Sequence, residues 1–186
     1  MVKDKIMLEH FKPTWMVKSI YSITVEQLRA HGIKAVLIDL DNTLIAWNQL
    51  EATEESLNWI QTMKKAGMPV MILSNNSGSR IKKVAEILEV GYIPRSMKPT
   101  VRAFKLAEKR LELPADDMVM IGDQLMTDIL GANRYQLRSI LVKPILASDA
   151  WNTKLNRFIE MKIMRALVKS NIEMKWRDTL DDPVKK

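Results

Sequence analysis

Two aspartates and a threonine stand at alternate positions around the end of an apolar run. The run covers residues 34–40, and the three side chains are Asp39, Asp41 and Thr43. Because side chains alternate along a strand, Asp39 and Asp41 are expected to point to the same side. The first carboxylate could then hold Mg²⁺ while the second reaches the oxygen of a leaving group. Aspartates that merely cap a turn after a strand show the same pattern, so this segment alone leaves both interpretations open.

Two further positions offer groups that bind phosphate. Ser74 directly follows the apolar run 69–73, and its hydroxyl could bind a phosphoryl oxygen. Lys98 stands just before Pro99 at a predicted helix start, where its ammonium could neutralise phosphate charge. Taken alone, Ser74 is more typical of an ordinary loop serine, and Lys98 of a solvated surface lysine.

Two more acids follow a later apolar run. Gly122 and Asp123 come directly after residues 118–121, and Asp128 stands five positions beyond Asp123. Gly122 permits a close backbone turn, and Asp123 could complete an oxygen-rich cation site with Asp39. Asp128 could be a helix cap, a support for another ligand or a ligand itself. Neither acid indicates a site by itself.

The order of these segments is similar to the four motifs of the haloacid dehalogenase (HAD) superfamily. D-x-D-x-T, a hydroxyl, a lysine and G-D-x-x-x-x-D occur in that order within about residues 33–142. Several independent signals therefore fall at predicted strand ends in one arrangement. The resemblance implies a Mg²⁺-dependent phosphomonoester hydrolase that works through an aspartyl-phosphate intermediate.

The resemblance also implies a role for each motif residue. Asp39 is expected to be the nucleophile, Asp41 the general acid and base, and Lys98 a catalytic stabiliser of charge. The implied phosphate-binding residues are Thr43, Ser74, Asn75 and Lys98, and the implied metal-site residues are Asp39, Asp41, Asp123 and Asp128.

The elements that must position these residues follow from alternating sequence patterns. Short β-branched runs alternate with helical patterns, which predicts an α/β fold with a Rossmann-like parallel sheet of about five strands and helices on both faces. The predicted strands are 34–40, 69–73, 91–94, 118–121 and 139–142, and the predicted helices are 53–67, 78–88, 99–111 and 127–135. Open sheets of this kind bind ligands beyond the carboxyl ends of their strands.

The length of 186 residues fits one core with extensions at both ends. We expect an N-terminal amphipathic extension at 1–32, a HAD-like catalytic core at 33–145 and a basic helical extension at 146–186. Within the first extension, Thr24 and Gln27 predict a capping box for a short helix that Gly32 ends.

The composition narrows the classes of function. The chain has no cysteine, which excludes disulfides, zinc–thiolate sites and thiol nucleophiles. No apolar stretch approaches the roughly 18 residues of a membrane span, and no signal-peptide core is present, so we expect a cytoplasmic protein. The net charge of +7 indicates an anionic partner, which phosphates, nucleic acid and acidic lipid all satisfy.

The spacing between motifs leaves no room for a cap domain. Residues 44–73 can hold a flap and one helix, and residues 75–97 a helix and a strand. The active site is therefore expected to be open, which resembles family members that act on large or membrane-borne phosphates or that a neighbouring subunit covers. The chain also resembles the YqeG-type group of subclass IIIA in its N-terminal segment, its length and its motifs D-L-D-N-T-L and S-N-N. The eukaryotic relatives of that group are phosphatidylglycerophosphate phosphatases. Met97 and Gln124 depart from that group's usual pattern without removing a catalytic group.

A basic stretch follows the last predicted strand. If residues 151–177 are helical, an inward stripe is predicted at Leu155, Ile159, Ile163, Ala166 and Leu167. The other side would carry Trp151, Phe158, Met161 and Val168 among the basic residues Lys154, Arg157, Lys162, Arg165 and Lys169. The pattern favours a helix packed on the core with a solvated rim, and it also describes a helix that lies on an anionic membrane.

Our expected function is a phosphatase for phosphatidylglycerophosphate or another large phosphate, in the cytoplasm or peripherally on the inner face of the membrane. One alternative is a soluble sugar-phosphate or nucleotide phosphatase whose site is covered in a homo-oligomer. Another is a nucleic-acid-associated assembly factor that retains the fold. The complete catalytic set and the lack of an aromatic-rich nucleic-acid signature argue against that last alternative.

Overall fold

A parallel six-stranded sheet forms the centre of the protein. The computed structural model describes residues 8–49, 51–146, 154–171 and 173–180, with residues 154–157 described by their backbone alone. The strands are β1 (Trp15–Val17), β2 (Ala35–Ile38), β3 (Val70–Leu73), β4 (Gly91–Ile93), β5 (Met118–Gly122) and β6 (Arg138–Val142). Their spatial order is β1-β6-β5-β2-β3-β4, and every adjacent pair is parallel. The predicted α/β class with a parallel sheet is confirmed.

Helices connect the strands. They are α1 (Val25–Ala30), α2 (Glu54–Lys65), α3 (Ser79–Leu88), α4 (Arg102–Leu111), α5 (Leu130–Arg134) and α6 (Lys154–Ser170). A π-helical turn, Leu125–Ile129, leads directly into α5. The Thr24 hydroxyl accepts a hydrogen bond from Gln27 N while the Gln27 side chain accepts one from Thr24 N, which confirms the predicted capping box.

The central strands β2, β3 and β5 are buried on both faces, as their continuous apolar sequences predict. One face carries Val36, Ile38, Val70, Ile72, Val119 and Ile121, which pack against apolar residues of α1, α2 and α3. The opposite face carries Leu37, Leu73 and Met120, which pack against Ala103 and Phe104 of α4 and residues near α5. This two-sided packing fixes the strand ends on which the polar motifs stand.

The sheet has one strand more than predicted. β1 comes from the N-terminal segment and pairs with β6, so that Trp15 lies opposite Ile140. A three-residue strand is too short to display a period in sequence, which is why this segment was predicted only as an amphipathic extension. The edge of β1 that faces away from β6 is covered by the C-terminal segment, where Arg177 N donates to Met16 O at 3.0 Å.

The connections between the motif strands are short. Between Thr43 and Lys98, where the structure describes every residue except position 50, the chain forms a flap, α2, β3, α3 and β4. No cap domain occurs within these described residues, as the spacing predicted. Among the residues that the structure describes between Thr43 and Lys98, the flap, residues 46–49, and neighbouring loops lie at the ends of the central strands.

Helix α6 packs on the sheet edge with a different face from the one predicted. Leu167 is buried against Met16, Leu125 and Ile129, as expected for the inward stripe. Ile159, however, is 36% exposed, whereas Glu160 is buried. The inward prediction was therefore wrong for Ile159, because the helix is turned so that Glu160 can accept a hydrogen bond from Met126 N at 2.8 Å. Trp151 and the side chains of Lys154, Leu155 and Arg157 lie outside the described residues.

Candidate active site

The polar motifs meet at the carboxyl ends of three neighbouring strands. β2 lies between β5 and β3, with Ile38 opposite both Ile121 and Ile72. The next residues along these strands bring Asp39, Ser74 and Asp123 to one edge of the sheet. Asp39 N also donates to Ile121 O at 2.9 Å, which holds the end of β2 against β5. The strand ends thus converge as the sequence predicted for a ligand site.

Lys98 reaches into this edge and joins two of the acids. Its Nζ lies 2.7 Å from Asp39 Oδ1 and 2.7 Å from Asp128 Oδ1. It also donates to the carbonyl oxygen of Leu73 at 2.6 Å. The Lys98 side chain is 1% exposed, so these partners take the place of water around the ammonium.

Burial and charge determine the protonation states in this cluster. Burial raises the pKa of Asp39 well above its ordinary range; Lys98 counteracts this shift, and the negative charges of Asp128 and Asp123 add to it. Burial alone would lower the pKa of Lys98, but the carboxylates of Asp128 and Asp39 outweigh burial and hold it above its ordinary value. The lysine is therefore charged, and burial favours the neutral form of the Asp39 carboxyl unless further positive charge is bound beside it.

Three carboxyl groups lie close enough together to hold a cation. Asp39, Asp123 and Asp128 are all buried, and one oxygen from each lies within 4.8 Å of the others. An all-oxygen set of three carboxyl groups fits a hard divalent cation such as Mg²⁺. Thr43 donates its hydroxyl to Asp123 Oδ1 at 3.1 Å, which orients that carboxylate. The carboxylate of Asp41, also predicted at the metal site, is not a member of this group.

Gly122 is required by the position of Asp128. A Cβ atom on Gly122 would lie 2.3 Å from the Asp128 carboxyl carbon, far inside van der Waals contact. The Asp128 carboxylate also accepts a hydrogen bond from Gln124 N at 3.1 Å. It thus closes the π-helical turn in addition to contacting Lys98, and π-helical turns are frequent at functional sites.

Asp41 lies at the rim of the site, where its carboxylate is partly exposed and contacts residues outside the acid cluster. Its Oδ2 accepts a hydrogen bond from Asn76 Nδ2 at 2.7 Å, and its Oδ1 forms an ion pair with Arg80 Nη1. Asn42, the next residue, adopts a positive φ of 62°, which asparagine tolerates better than most residues and which turns the chain sharply after Asp41. Asp39 therefore lies inside the site, whereas Asp41 faces its opening.

Asn75 holds the loop that carries Lys98. Its Oδ1 accepts hydrogen bonds from Lys98 N at 2.8 Å and from Ser96 Oγ at 2.7 Å. Its Nδ2 donates to Lys98 O at 2.9 Å. Both ends of the side chain are thus engaged with this loop, and the predicted contact of Asn75 with phosphate stays a prediction.

Beside Ser74 is a pocket of about 290 Å³. It is lined by Leu40, Ser74, Asn76, Ser77, Arg80 and Ile81. The Ser74 oxygen accepts a hydrogen bond from Asn76 N at 3.2 Å and keeps its own hydrogen available for a ligand. Of the residues for which the resemblance implied phosphate binding, Ser74 lines this pocket, whereas Thr43, Asn75 and Lys98 do not.

Two residues of this region had no role in the sequence analysis. Arg80 stands in the first turn of α3. Its position shortly after the strand that ends before Ser74 was the one sequence signal that could have indicated a role at the site. Glu160 stands in a distant helix, and nothing in its sequence neighbourhood points to Met126. Both depend on contacts between segments far apart in the chain.

Known proteins that are similar to this chain belong to the family that its motif order resembles. The family model described as haloacid dehalogenase-like hydrolase matches residues 8–135. The chain is 39% identical to the probable phosphatase YqeG of Bacillus subtilis (strain 168), over 93% of this chain and 100% of that protein. It is 24% identical to phosphatidylglycerophosphate phosphatase 1, chloroplastic/mitochondrial, of Arabidopsis thaliana, over 92% of this chain and 51% of that protein.

Among solved structures, 3-deoxy-D-manno-octulosonate 8-phosphate phosphatase from Moraxella catarrhalis is similar to this chain with a TM-score of 0.45 and 16% identity. The match covers 77% of this chain and 96% of that one. The family model covers more than half of the sequence, and the Bacillus relative is matched along its whole length. The chain therefore belongs to the haloacid dehalogenase-like hydrolases and, within them, to the YqeG-type group.

Proposed function

We propose that this HAD-superfamily phosphatase hydrolyses phosphomonoesters through an aspartyl-phosphate on Asp39. The observation that carries the proposal is the Lys98 ammonium, which lies 2.7 Å from Asp39 Oδ1 and 2.7 Å from Asp128 Oδ1 in a buried group of acids that also includes Asp123. A carboxylate in this position can face an incoming phosphate dianion only where positive charge compensates both groups. The lysine supplies part of that charge.

The metal site would supply the rest. Asp39, Asp123 and Asp128 would hold Mg²⁺, which neutralises phosphate charge during transfer. Thr43 keeps the Asp123 carboxylate in place, and Ser74, Lys98 and Asn75 with its neighbouring backbone would contact the phosphoryl oxygens. Gly122 leaves room for the Asp128 carboxylate.

The reaction would proceed in two steps. An oxygen of Asp39 attacks phosphorus, the bond from phosphorus to the ester oxygen breaks, and Asp41 gives its proton to the departing alkoxide. Water then attacks the phosphorus of the aspartyl-phosphate and transfers a proton to Asp41, which releases inorganic phosphate and restores both carboxyl groups. The rim position of Asp41 suits this role, because the leaving group must depart toward the opening.

We propose phosphatidylglycerophosphate, or another large phosphate, as the substrate. The open strand ends support this choice, since the described residues between Thr43 and Lys98 include no cap domain that would limit substrate size. The Arabidopsis relative, which carries that substrate in its name, provides a second line of support.

The outer face of α6 supports a peripheral membrane role. Phe158 and Met161 are 51% and 50% exposed, and Lys162, Arg165 and Lys169 share their side of the helix. Bulky apolar groups among basic ones are typical of helices that lie in the interface of an anionic bilayer. Within the described residues, no helix is both long and apolar enough to span a membrane.

A substrate panel with added Mg²⁺ tests the proposal. It would contain phosphatidylglycerophosphate in mixed micelles, sugar phosphates, nucleotides and p-nitrophenyl phosphate, with Asp116→Asn as the control for Asp39→Asn. We expect turnover that chelator abolishes, that Ca²⁺ restores poorly and that Asp39→Asn removes, with the highest kcat/KM on the lipid. A higher kcat/KM on a soluble phosphate than on the lipid would overturn the lipid as the proposed substrate. No turnover of any phosphate would favour the alternative of a nucleic-acid-associated assembly factor.

A further inference from the structure

Arg80 connects the helix after Ser74 to the flap. Its Nε donates to Gln49 O at 3.0 Å, and its Nη2 donates to Gln49 O at 2.8 Å and to Ala46 O at 3.1 Å. The remaining nitrogen, Nη1, forms the ion pair with Asp41. The guanidinium is therefore anchored by carbonyl oxygens through two of its nitrogens, and only the third contacts the proposed acid–base residue.

The position of Arg80 places positive charge beside the leaving group. A phosphate bound at Ser74 and Asp39 directs the rest of the substrate toward Asp41, since the acid must reach the leaving oxygen. Arg80 lines the same pocket as Ser74 and contacts Asp41 directly. Its side chain is 22% exposed, so a substrate group at the opening can reach it.

Two further features favour an anion at this point. The first turn of α3 contains no acidic residue and no side-chain cap, so no group within the helix itself offsets its positive dipole end. Asp41 retains the hydrogen bond from Asn76 at 2.7 Å if Arg80 Nη1 turns to another partner. When Arg80 exchanges that one contact, the flap keeps its hydrogen bonds to Arg80, and Asp41 keeps its hydrogen bond from Asn76.

We infer that Arg80 determines specificity by exchanging Asp41 for a second anionic group on the leaving part of the substrate. The substrate class is a phosphomonoester whose leaving group carries a phosphodiester or a similar anion, and the inference rests on the proposed function. A guanidinium binds phosphate oxygens with directed, charge-assisted hydrogen bonds, which suits it to this recognition. The same exchange frees Asp41 from its ion pair when a correct substrate is bound.

Matched substrate pairs test the inference. The lipid pair is phosphatidylglycerophosphate and phosphatidic acid in identical micelles, and the soluble pair is glycerophosphoglycerophosphate and glycerol 3-phosphate. Within each pair, one member has the second anion and the other lacks it. Arg80→Gln should lower kcat/KM for the member with the second anion about tenfold more than for its partner. Arg80→Lys should restore part of that preference because it retains the charge.

Lys83→Gln is the control, since Lys83 lies one turn further along α3 and contacts the exposed Glu51 at 3.4 Å. It should change neither preference. Equal losses for both members of a pair would mean that Arg80 only braces Asp41 and the flap, and no loss would mean that it is a surface residue; either result overturns the inference. A wild-type protein that hydrolyses no phosphomonoester would refute the proposed function as well. Circular dichroism and thermal melts confirm that each variant is folded.

Discussion

The site has a buried half and a rim half, and their charges are held in different ways. In the buried half, Lys98 contacts Asp39 and Asp128, and its side chain is 1% exposed. In the rim half, Arg80 contacts Asp41, and these side chains are 22% and 18% exposed. Buried charges depend on one another, whereas water can replace a partner at the rim. The buried half is therefore suited to a fixed reaction centre and the rim half to contacts that change with the substrate.

The largest expected effects separate the two halves by the step that each supports. Asp39→Asn and Asp41→Asn should each lower kcat by at least ~10³, because each removes a group needed for turnover. Only Asp41→Asn should still form the covalent phosphoryl-enzyme, and it should do so best with p-nitrophenyl phosphate, whose leaving group needs little protonation. Rapid quench followed by mass spectrometry measures this species.

Asp116→Asn, at an exposed carboxylate just before β5, is the control for both variants and should retain normal turnover. A folded Asp39→Asn protein that still accumulates phosphoryl-enzyme would falsify the nucleophile assignment. If Asp41→Asn turns over at the wild-type rate, proton transfer must be assigned elsewhere.

Replacing the basic side chain of each half by methionine should lower the stability of the protein to different extents. Lys98→Met leaves two buried carboxylates without their partner and should lower the free energy of unfolding by ~3–5 kcal/mol in chelator. Arg80→Met removes a partly exposed ion pair and hydrogen bonds to flap carbonyls that water can replace, and should cost less, about 1–2 kcal/mol. Urea denaturation at neutral pH measures both losses. Mg²⁺ should recover more stability in Lys98→Met than in the wild type, and equal losses for the two variants would contradict the division of the site.

The raised pKa of Asp39 predicts a pH-dependent difference between wild type and Asp39→Asn. Because burial raises the pKa of this carboxyl above its ordinary value of 3.8, its ionisation opposes folding. In chelator, Asp39→Asn should therefore be more stable than wild type above the folded pKa. The advantage should shrink as the pH falls through that pKa and vanish below 3.8, where both states bind the proton. Thermal melts across pH, with Asp116→Asn as the control, measure it; a difference that grows toward low pH would have the wrong sign.

The buried half of the site was easier to predict from the sequence than the rim half. Asp39, Ser74 and Asp123 stand at the ends of continuous apolar runs that are typical of buried parallel strands, so their placement at the carboxyl-end edge of the sheet was predictable. Lys98 required the family resemblance, because a lysine before a proline has no local signature that distinguishes it from a surface residue. The buried half was thus largely predictable in its composition.

The rim and the edges of the fold were less predictable for a physical reason. The contact of Arg80 with Asp41 and that of Glu160 with Met126 depend on how helices are rotated against the sheet, which a single helix does not specify. The same rotation exposes Ile159, although its spacing matched the inward stripe. Strand β1 depends on an edge supplied by β6, and its three residues carry no period of their own.

The smallest expected effect concerns helix α6, whose exposed charges belong to neither half of the site. Glu160 connects the helix to the π-helical turn beside Asp128, but Lys162, Arg165 and Lys169 face outward. Changing these three residues to Gln should weaken binding to anionic vesicles and raise the apparent KM for lipid-borne substrate. Turnover of a soluble phosphate should be unchanged, because no catalytic contact is altered.

The effect on vesicle binding should be modest and sensitive to salt. Each basic residue near an anionic surface contributes ~1 kcal/mol, so three of them provide weak, reversible attachment in addition to that from Phe158 and Met161. Raising the ionic strength until the Debye length approaches ~3 Å should mimic the triple variant, while activity on a soluble phosphate persists. A matched triple variant at the exposed Lys82, Lys105 and Lys109 removes the same charge from other helices and should sediment with vesicles like wild type. If both triple variants lose vesicle binding equally, net charge alone explains the attachment; if the α6 variant binds like wild type, or loses soluble activity as well, the outer face of α6 has no membrane role.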